Sequence, residues 1–233
     1  MANKLALVTG ASTGIGFELA TIAAREGHDL IVVADEELIH AAARDFEQFG
    51  TNVVAVEADL STLEGVDAAL AAAAGRQIDL VCANAGISKG GPFLDESIED
   101  WRHSIDTNVT GTVYLLQKSL RDMVARGSGK ILVTGSIAGY IPGSFNAIYN
   151  ATKAFIDNFT EALRNEITEG RERFIAAFKL LSEQVKRPEA RELLKKAEAA
   201  RGLYVESQKR FYELLDAGQE DAARQEMLGT TLV

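Results

Sequence analysis

The first 168 residues alternate short aliphatic or β-branched runs with longer segments in which apolar residues recur at helical spacing. This alternation is typical of successive βαβ units and a parallel sheet. The predicted strands are Leu5–Thr9, Leu30–Ala34, Val53–Val56, Leu80–Ala83 and Ile131–Thr134. The predicted helices lie near 15–26, 36–48, 62–74, 97–127 (one long helix or a pair) and 147–168. With right-handed crossovers, five such strands predict an α/β fold with a doubly wound parallel sheet.

Charge and glycine content both change near residue 168. All of the formal net charge of -10 lies in residues 1–168, which hold 22 acidic and 12 basic side chains, whereas residues 169–233 hold 12 of each. Of the 20 glycines, 16 also precede residue 169. The second segment has no predicted strand, and its apolar residues recur at helical spacing on both sides of Pro188. We therefore predict two domains, 1–168 with the sheet and 169–233 as a helical hairpin or partial bundle.

The composition excludes several classes of partner. A net charge of -10 gives no positive field that would gather phosphates or anionic lipid, so we expect neither a nucleic-acid partner nor a membrane surface. The single cysteine, Cys82, cannot form an internal disulfide, and the histidines show no metal-ligand spacing with it. No metal site is predicted, and a reducing cytoplasm fits this composition. The N-terminal segment lacks the longer apolar core and cleavage site of a secretory signal and is interpreted as the first strand.

A glycine-rich segment, Thr9–Gly16, lies between the first predicted strand and the first predicted helix. Free N–H groups and the dipole at a helix N-terminus favour a pyrophosphate, and glycine lets the phosphates approach the backbone. The segment therefore predicts that 1–168 is a dinucleotide-binding domain, with a tight structural turn as the alternative. The residues predicted to bind the cofactor here are Gly10, Ser12, Thr13, Gly14, Ile15 and Gly16.

Polar residues follow three further strands. Asp35 ends the second strand, where a carboxylate can accept from the ribose 2′-OH and repel a 2′-phosphate, which favours NAD without excluding NADP. The alternative is a solvated acidic cluster, because Glu36 and Glu37 follow directly. Asp59 and Asn84 come after the third and fourth strands, at the edge where ligands bind in open α/β sheets. Each could instead be a helix cap or a turn residue.

Ser136, Tyr149 and Lys153 form a further group with chemical potential. Tyr149 and Lys153 are four residues apart in a predicted helix, so both side chains lie on one face. An ammonium beside a phenol stabilises the phenolate, which makes the phenol a usable acid or base near neutral pH. Ser136 follows the fifth strand, where its hydroxyl can hydrogen-bond a carbonyl or hydroxyl oxygen. A Tyr-x-x-x-Lys pair alone is a weak signal, because such pairs also occur by accident on helix surfaces.

Residues 1–168 resemble the short-chain dehydrogenase/reductase family, because they contain its motifs in the order in which the family has them. The matching motifs are Thr9–Gly16, Asp59-Leu60, Asn84-Ala85-Gly86, Asn108 within Thr107-Asn108-Val109, Ser136, and Tyr149-x-x-x-Lys153. The resemblance implies a Rossmann-type fold, NAD or NADP as cofactor, and reversible hydride transfer between the nicotinamide and a carbonyl or secondary alcohol. It also implies an apolar small-molecule substrate of small or medium size. The family habit further implies a homo-oligomer.

The resemblance also implies roles for individual residues. Tyr149 would be the general acid/base, Ser136 would orient the substrate, and Lys153 would bind the nicotinamide ribose and stabilise the Tyr149 phenolate. Asn108 would hold a water in a proton relay beside Lys153, and its alternative is internal packing at a helix kink. The cofactor-binding residues implied outside the glycine-rich segment are Asp59, Leu60, Asn84, Ala85, Gly86, Tyr149 and Lys153.

The sequence departs from this family after the helix of Tyr149. Members continue with a sixth strand, a Pro-Gly turn, a substrate-covering helical loop and a seventh strand, none of which is recognisable after residue 168. Residues 169–233 instead weakly resemble part of the four-helix sensor bundle of methyl-accepting chemotaxis receptors, with a generic amphipathic hairpin as the alternative. A natural or engineered fusion is the simplest hypothesis for this change. The alternative function is therefore a catalytically impaired nucleotide-binding module fused to a helical interaction or sensor segment.

Overall fold

The structure, a computed structural model, describes residues 3–169 and the single residues 210, 214, 219 and 222. The backbone divides into two units, Met1–Ile167 and Thr168–Val233. The fold given below is that of the first unit. The helical pair that the sequence predicts after residue 168, and the absence of further strands there, lie outside the described residues and stay predictions.

Strands and helices alternate along the first unit. The strands are β1 (Leu5–Thr9), β2 (Asp29–Ala34), β3 (Val53–Glu57), β4 (Leu80–Ala83) and β5 (Lys130–Val133). The α-helices are α1 (Gly14–Arg25), α2 (Leu38–Glu47), α3 (Leu63–Ala71), α4 (Ile98–Ile105), α5 (Thr112–Arg126) and α6 (Ala147–Arg164). Short 3₁₀ turns span Phe93–Asp95 and Ile137–Gly139, and π-helical turns span Asp106–Gly111 and Asn165–Glu169. Among the described helices, none is both long and apolar enough to cross a membrane.

The five strands form one parallel sheet in the order β3-β2-β1-β4-β5. The central strand β1 pairs with β2 on one side and with β4 on the other, so that Val8 lies beside both Val32 and Cys82. The chain runs outward from β1 to β3 and then crosses back to β4. This reversal leaves a crevice at the carboxyl ends of β1 and β4, where such folds bind ligands. The predicted doubly wound parallel sheet is confirmed.

Helices cover both faces of the sheet and bury β1 and β2 along their whole length. Because successive strand residues point to opposite faces, Val8 and Val32 pack in one cluster with Phe46 of α2. Leu7 packs in the other cluster with Leu116 of α5. This two-sided packing holds the carboxyl ends of the central strands in fixed positions, and the loops that follow them build the site.

One strand boundary near the site differs from the prediction, and the predicted alternative of a helix pair at 97–127 is confirmed. The strand β5 begins and ends one residue earlier than predicted, which leaves Thr134 in the following loop. Its main-chain N–H still donates to Ala83 O at 3.1 Å, and its hydroxyl donates to the Oδ1 of Asn84 at 2.9 Å. The long helical region after β4 is a pair, α4 and α5, joined by the π-helical turn Asp106–Gly111. This turn contains Asn108, a predicted site residue.

Candidate active site

A cleft of about 500 Å³ lies at the carboxyl edge of the sheet, between the loops that follow the five strands and the start of α6. The predicted site residues that line it are Gly10, Ser12, Thr13, Ile15, Asp35, Asp59, Leu60, Asn84, Ala85, Gly86, Ser136, Tyr149 and Lys153. Three other predicted site residues, Gly14, Gly16 and Asn108, do not line the cleft. The lining also includes residues that the sequence did not single out for the site, namely Ala34, Glu36, Ala58, Ile87, Thr107, Thr134 and Gly135.

The glycine-rich loop owes its shape to the close approach of α1. Gly10 and Gly14 have positive φ angles of 63° and 59°, which glycine adopts without strain. A Cβ on Gly16 would lie 2.0 Å from the main-chain oxygen of Gly10, so the first turn of α1 can pack on this loop only with glycine there. Thr13 precedes α1 and makes no side-chain cap bond. The N–H groups at the start of α1 therefore lack that partner and can hold an anion.

Asn84 connects the ends of three strands. Its Nδ2 donates to the main-chain oxygens of Thr9 at 3.1 Å and Gly10 at 3.3 Å. Its Oδ1 accepts from the hydroxyl of Thr134, and its main-chain N–H donates to the hydroxyl of Thr9 at 2.9 Å. Both amide hydrogens of the side chain are thus used within the protein. The side chain lines the cleft and also fixes the glycine-rich loop to β4 and β5.

Acidic residues lie at the end of the cleft beyond the glycine-rich loop. Asp35 and Glu36 both line the cleft directly after β2. The hydroxyl of Ser12 donates to the carboxylate of Glu36, which links the glycine-rich loop to the loop after β2. From its sequence context, Glu36 was expected only as part of a solvated acidic cluster. It bonds to Ser12 and also lines the cleft.

Asp59 follows β3 and makes a local turn. Its Oδ1 accepts from the main-chain N–H of Ser61 at 2.8 Å, and its main-chain oxygen accepts from the hydroxyl of Thr62. Thr62 in turn caps α3 by accepting from Gly65 N. These bonds match the alternative of a turn residue, while Asp59 also lines the cleft together with the buried Leu60.

Tyr149 and Lys153 lie one turn apart near the start of α6 and both line the cleft. The Nζ of Lys153 lies 5.8 Å from the centroid of the Tyr149 ring and donates to the main-chain oxygen of Thr134 at 2.9 Å. Burial lowers the pKa of Lys153, and the nearby carboxylate of Asp157 opposes this by raising that pKa. The ammonium is therefore held in place beside the phenol by the loop that follows β5.

Ser136 lies in the same loop and begins the 3₁₀ turn Ile137–Gly139. Its Oγ accepts from the main-chain N–H of Ala138 at 3.1 Å. A hydroxyl has one hydrogen and two lone pairs, so this bond leaves the hydroxyl hydrogen available to a ligand in the cleft. Ser136 and Tyr149 both line the cleft, so this hydrogen can be donated to an oxygen of a ligand bound there.

Asn108 lies behind the cleft, in the π-helical turn, and is only 2% exposed. Its Oδ1 accepts from Ile87 N at 2.8 Å, and its Nδ2 donates to Ile87 O at 2.9 Å and to the hydroxyl of Thr152 at 3.0 Å. This is the internal bonding that the sequence analysis gave as the alternative for Asn108. A Cβ on Gly86 would lie 3.2 Å from Asn108 Oδ1 and 3.4 Å from Lys153 Nζ, so glycine permits this close grouping.

A doubly wound parallel sheet with a glycine-rich loop at its crevice defines a dinucleotide-binding α/β protein. A family model described as short chain dehydrogenase matches residues 4–177. An uncharacterised oxidoreductase of Staphylococcus epidermidis is 34% identical over 168 residues, which cover 71% of this chain and 72% of that protein. The chain belongs to the short-chain dehydrogenase family of oxidoreductases.

Solved structures of similar proteins agree with the fold. A short-chain dehydrogenase from Sphingobium yanoikuyae in complex with NADPH has a TM-score of 0.67 at 32% identity, covering 71% of this chain and 66% of that one. A short chain dehydrogenase/reductase from Burkholderia phymatum in complex with NAD has a TM-score of 0.68 at 28% identity, covering 72% of this chain and 61% of that one. Both forms of the cofactor thus occur among proteins similar to this chain.

Proposed function

We propose that this chain is an NAD(P)-dependent oxidoreductase that transfers a hydride between the nicotinamide of its cofactor and the carbon of a carbonyl or secondary alcohol. Tyr149 is the proposed general acid/base. One observation supports this proposal above the others, namely that a single cleft contains the glycine-rich loop, Tyr149 and Lys153. The loop end of the cleft suits phosphates, and the α6 end carries the groups that can move a proton.

The residues of the cleft fit a dinucleotide. Gly10 lines the cleft, and Gly16 lets the first turn of α1 pack against the main-chain oxygen of Gly10, so the N–H groups at the start of α1 lie beside the loop and can bind phosphates. When bound, the cofactor supplies or accepts the hydride. The proposed task of the protein is to orient the substrate beside it, to keep water from the reacting atoms and to handle the proton.

Tyr149 is proposed to handle the proton in both directions. During reduction its hydroxyl donates a proton to the substrate oxygen, and during oxidation its phenolate accepts the proton from the alcohol. The ammonium of Lys153, 5.8 Å from the centroid of the Tyr149 ring, stabilises the phenolate electrostatically. Its bond to Thr134 O keeps that charge in position.

Ser136 and Asn108 have supporting roles in this proposal. Ser136 donates its free hydroxyl hydrogen to the substrate oxygen and thereby orients it. Both amide hydrogens of Asn108 are used within the protein. A relay water at Asn108 would therefore have to donate to one of its oxygens. The π-helical turn around Asn108 suits this, because π-turns interrupt the regular hydrogen bonding of the backbone and occur often at functional sites.

We propose NAD as the preferred cofactor. Asp35 and Glu36 place two carboxylates along the end of the cleft, where they would repel a 2′-phosphate and where one can accept from a ribose 2′-OH. Ser12 donates its hydroxyl hydrogen to Glu36 and so offers it less readily to a phosphate. The homo-oligomer and the cytoplasmic location rest on sequence alone and stay predictions. Size-exclusion chromatography with light scattering tests the first of them.

The experiment that tests the function compares Tyr149→Phe with the wild-type protein. We expect the variant to bind NADH with unchanged affinity, measured by cofactor fluorescence, and to lose turnover of ketones and secondary alcohols. The matched control is Tyr114→Phe, because the Tyr114 hydroxyl bonds to Asp67 at 3.2 Å and does not line the cleft. This control should retain both binding and turnover.

Two outcomes would count against the proposal. Unchanged turnover by Tyr149→Phe removes the role of this residue. NADH binding by the wild-type protein without turnover of any carbonyl or alcohol favours the alternative function, a nucleotide-binding module without catalysis.

A further inference from the structure

Phe145 has a backbone conformation that is unfavourable for its side chain. Its φ is +64°, in the left-handed region, where a bulky residue is a genuine outlier. The residue is 64% exposed, so burial does not compensate for the strain. Strained backbone of this kind is maintained only where surrounding structure requires it, and it concentrates at functional sites.

The surrounding structure that holds Phe145 is the loop after β4. The main-chain N–H of Gly91 donates to the carbonyl oxygen of Phe145 at 2.7 Å. The hydroxyl of Ser88 donates to Oδ1 of the next residue, Asn146, at 2.8 Å. Asn146 precedes α6 but its side chain does not cap the helix. Both residues before α6 are therefore bonded to another loop, four and three residues ahead of Tyr149.

The exposed ring lies close to the proposed acid/base. Phe145 and Tyr149 line the same small hollow, of about 10 Å³, which also contacts Phe93. Such a hollow holds at most about one water, so it is too small for a substrate group. Phe145 does not line the larger cleft, and its exposed side chain is the part that a ligand bound at Tyr149 can contact. Tyr140 and Ile141, 77% and 58% exposed, extend the apolar surface along the loop before α6.

We propose that Phe145 determines substrate specificity by contacting an apolar alkyl or aryl substituent on the carbonyl carbon. This inference rests on the proposed function, because it assumes that the substrate oxygen approaches Tyr149. Phe145 lies four residues before Tyr149 and is largely exposed, so its side chain is available to such a substituent. The contact gives the exposed ring an apolar partner when the substrate is bound.

The experiment measures kcat/KM for a series of methyl ketones from 2-butanone to 2-octanone. For the wild-type protein we expect kcat/KM to rise by up to about fourfold for each added methylene, the value for complete burial of a CH₂ group. In Phe145→Gly this dependence on chain length should become nearly flat. Phe145→Leu keeps an apolar side chain and should restore most of the dependence. Phe49→Ala removes an exposed aromatic outside the cleft and serves as the matched control.

Thermal denaturation separates this role from a structural one. Since glycine adopts the φ of Phe145 without strain, Phe145→Gly should melt at the wild-type temperature or up to about 4 °C higher. A flattened chain-length dependence in a variant at least as stable as the wild-type protein supports the contact. A flattened dependence in a variant that melts at a lower temperature indicates a structural role and overturns the inference. An unchanged dependence also overturns it, while the proposed function stands.

If the wild-type protein reduces no ketone, the proposed function fails. The inference about Phe145 is then tested by the binding of a ketone. Calorimetric titration of 2-octanone in the presence of NADH then replaces turnover as the readout. Weaker binding by Phe145→Gly supports the contact, whereas equal binding, or no binding by the wild-type protein, overturns it.

Discussion

Asn84 offers a sharp test of how the site is held together. Replacing it by alanine removes the bonds of its Nδ2 to Thr9 O and Gly10 O and the bond of its Oδ1 to the Thr134 hydroxyl. Two carbonyl oxygens and one hydroxyl then lose a partner. At about 1 kcal/mol for each lost bond, Asn84→Ala should lower the free energy of unfolding by about 3 kcal/mol. For a chain of this size, that corresponds to a fall of roughly 6–12 °C in the melting temperature.

A double-mutant cycle isolates the bond between Asn84 and Thr134. Thr134→Val removes the hydroxyl that bonds to Asn84. Asn84→Ala therefore breaks one hydrogen bond fewer in the Thr134→Val protein than in the wild-type protein. The two substitutions should therefore be non-additive by about 1 kcal/mol, within the range found for directly bonded residues. Urea denaturation followed by the fluorescence of Trp101 measures all four proteins. Strict additivity, or a loss below about 1 kcal/mol for Asn84→Ala alone, would refute this account of the bonds.

The same variant tests the link between this junction and the nucleotide site. Without the bond to Gly10 O, the glycine-rich loop loses a restraint, and we expect Asn84→Ala to bind NADH more weakly than the wild-type protein. Thr134→Val should affect NADH affinity less, because it leaves both bonds to the glycine-rich loop intact. Equal affinities for all four proteins would mean that Asn84 does not position the loop.

Two further predictions concern charged residues. Burial raises the pKa of Asp29, but bonds from Asn52, Asn3 and Arg76 outweigh this and hold that pKa below its usual value. Because the pKa of Asp29 is lower in the folded state than in the unfolded state, its carboxylate stabilises the fold fully above about pH 4. This stabilisation is lost as the pH falls through the pKa of the folded state. Asp29→Asn should therefore lower the free energy of unfolding near neutral pH and weaken the dependence of that free energy on acidic pH. If the free energies of the variant and the wild-type protein change in parallel with pH, this account is contradicted. For Asp35→Ser, the NADP-to-NAD ratio of kcat/KM should rise about tenfold once one repulsive carboxylate is removed; an unchanged ratio excludes Asp35 from cofactor selection.

The sequence predicted the sheet well because its strands have a simple physical signature. Helices cover both faces of β1 and β2, so their residues are almost all aliphatic, and such runs are easily distinguished from amphipathic helices. The bounds of β5 differ from the prediction by one residue at each end, which is the usual uncertainty in the ends of an element. Thr134 is β-branched, and its main-chain N–H still donates to Ala83 O at 3.1 Å, so it stays paired with β4. Its hydroxyl bond to Asn84 could not be predicted, because that contact depends on the strand order, which local patterns do not contain.

The candidate site was predictable where a residue has chemistry of its own. Glycines in a strand-to-helix turn, an acid at a strand end and the Tyr149–Lys153 pair all have recognisable spacing. Ala58 and Gly135 line the cleft without any such signature, because they contribute little more than backbone and small side chains. Their proximity to predicted site residues in sequence is the only signal that could have found them. The positive φ of Phe145 was not predictable, since nothing in the local sequence requires it.

The loop after β4 contacts both functional ends of the cleft. Its first residue, Asn84, bonds to the glycine-rich loop, and at its third, Gly86, a Cβ would lie 3.2 Å from Asn108 Oδ1 and 3.4 Å from Lys153 Nζ. The loop therefore touches the proposed nucleotide end and the proposed proton-transfer end of the cleft at once. Changes in this loop should weaken cofactor binding and turnover together, whereas a change at Tyr149 should affect turnover alone, and this contrast distinguishes positioning from chemistry in the first unit.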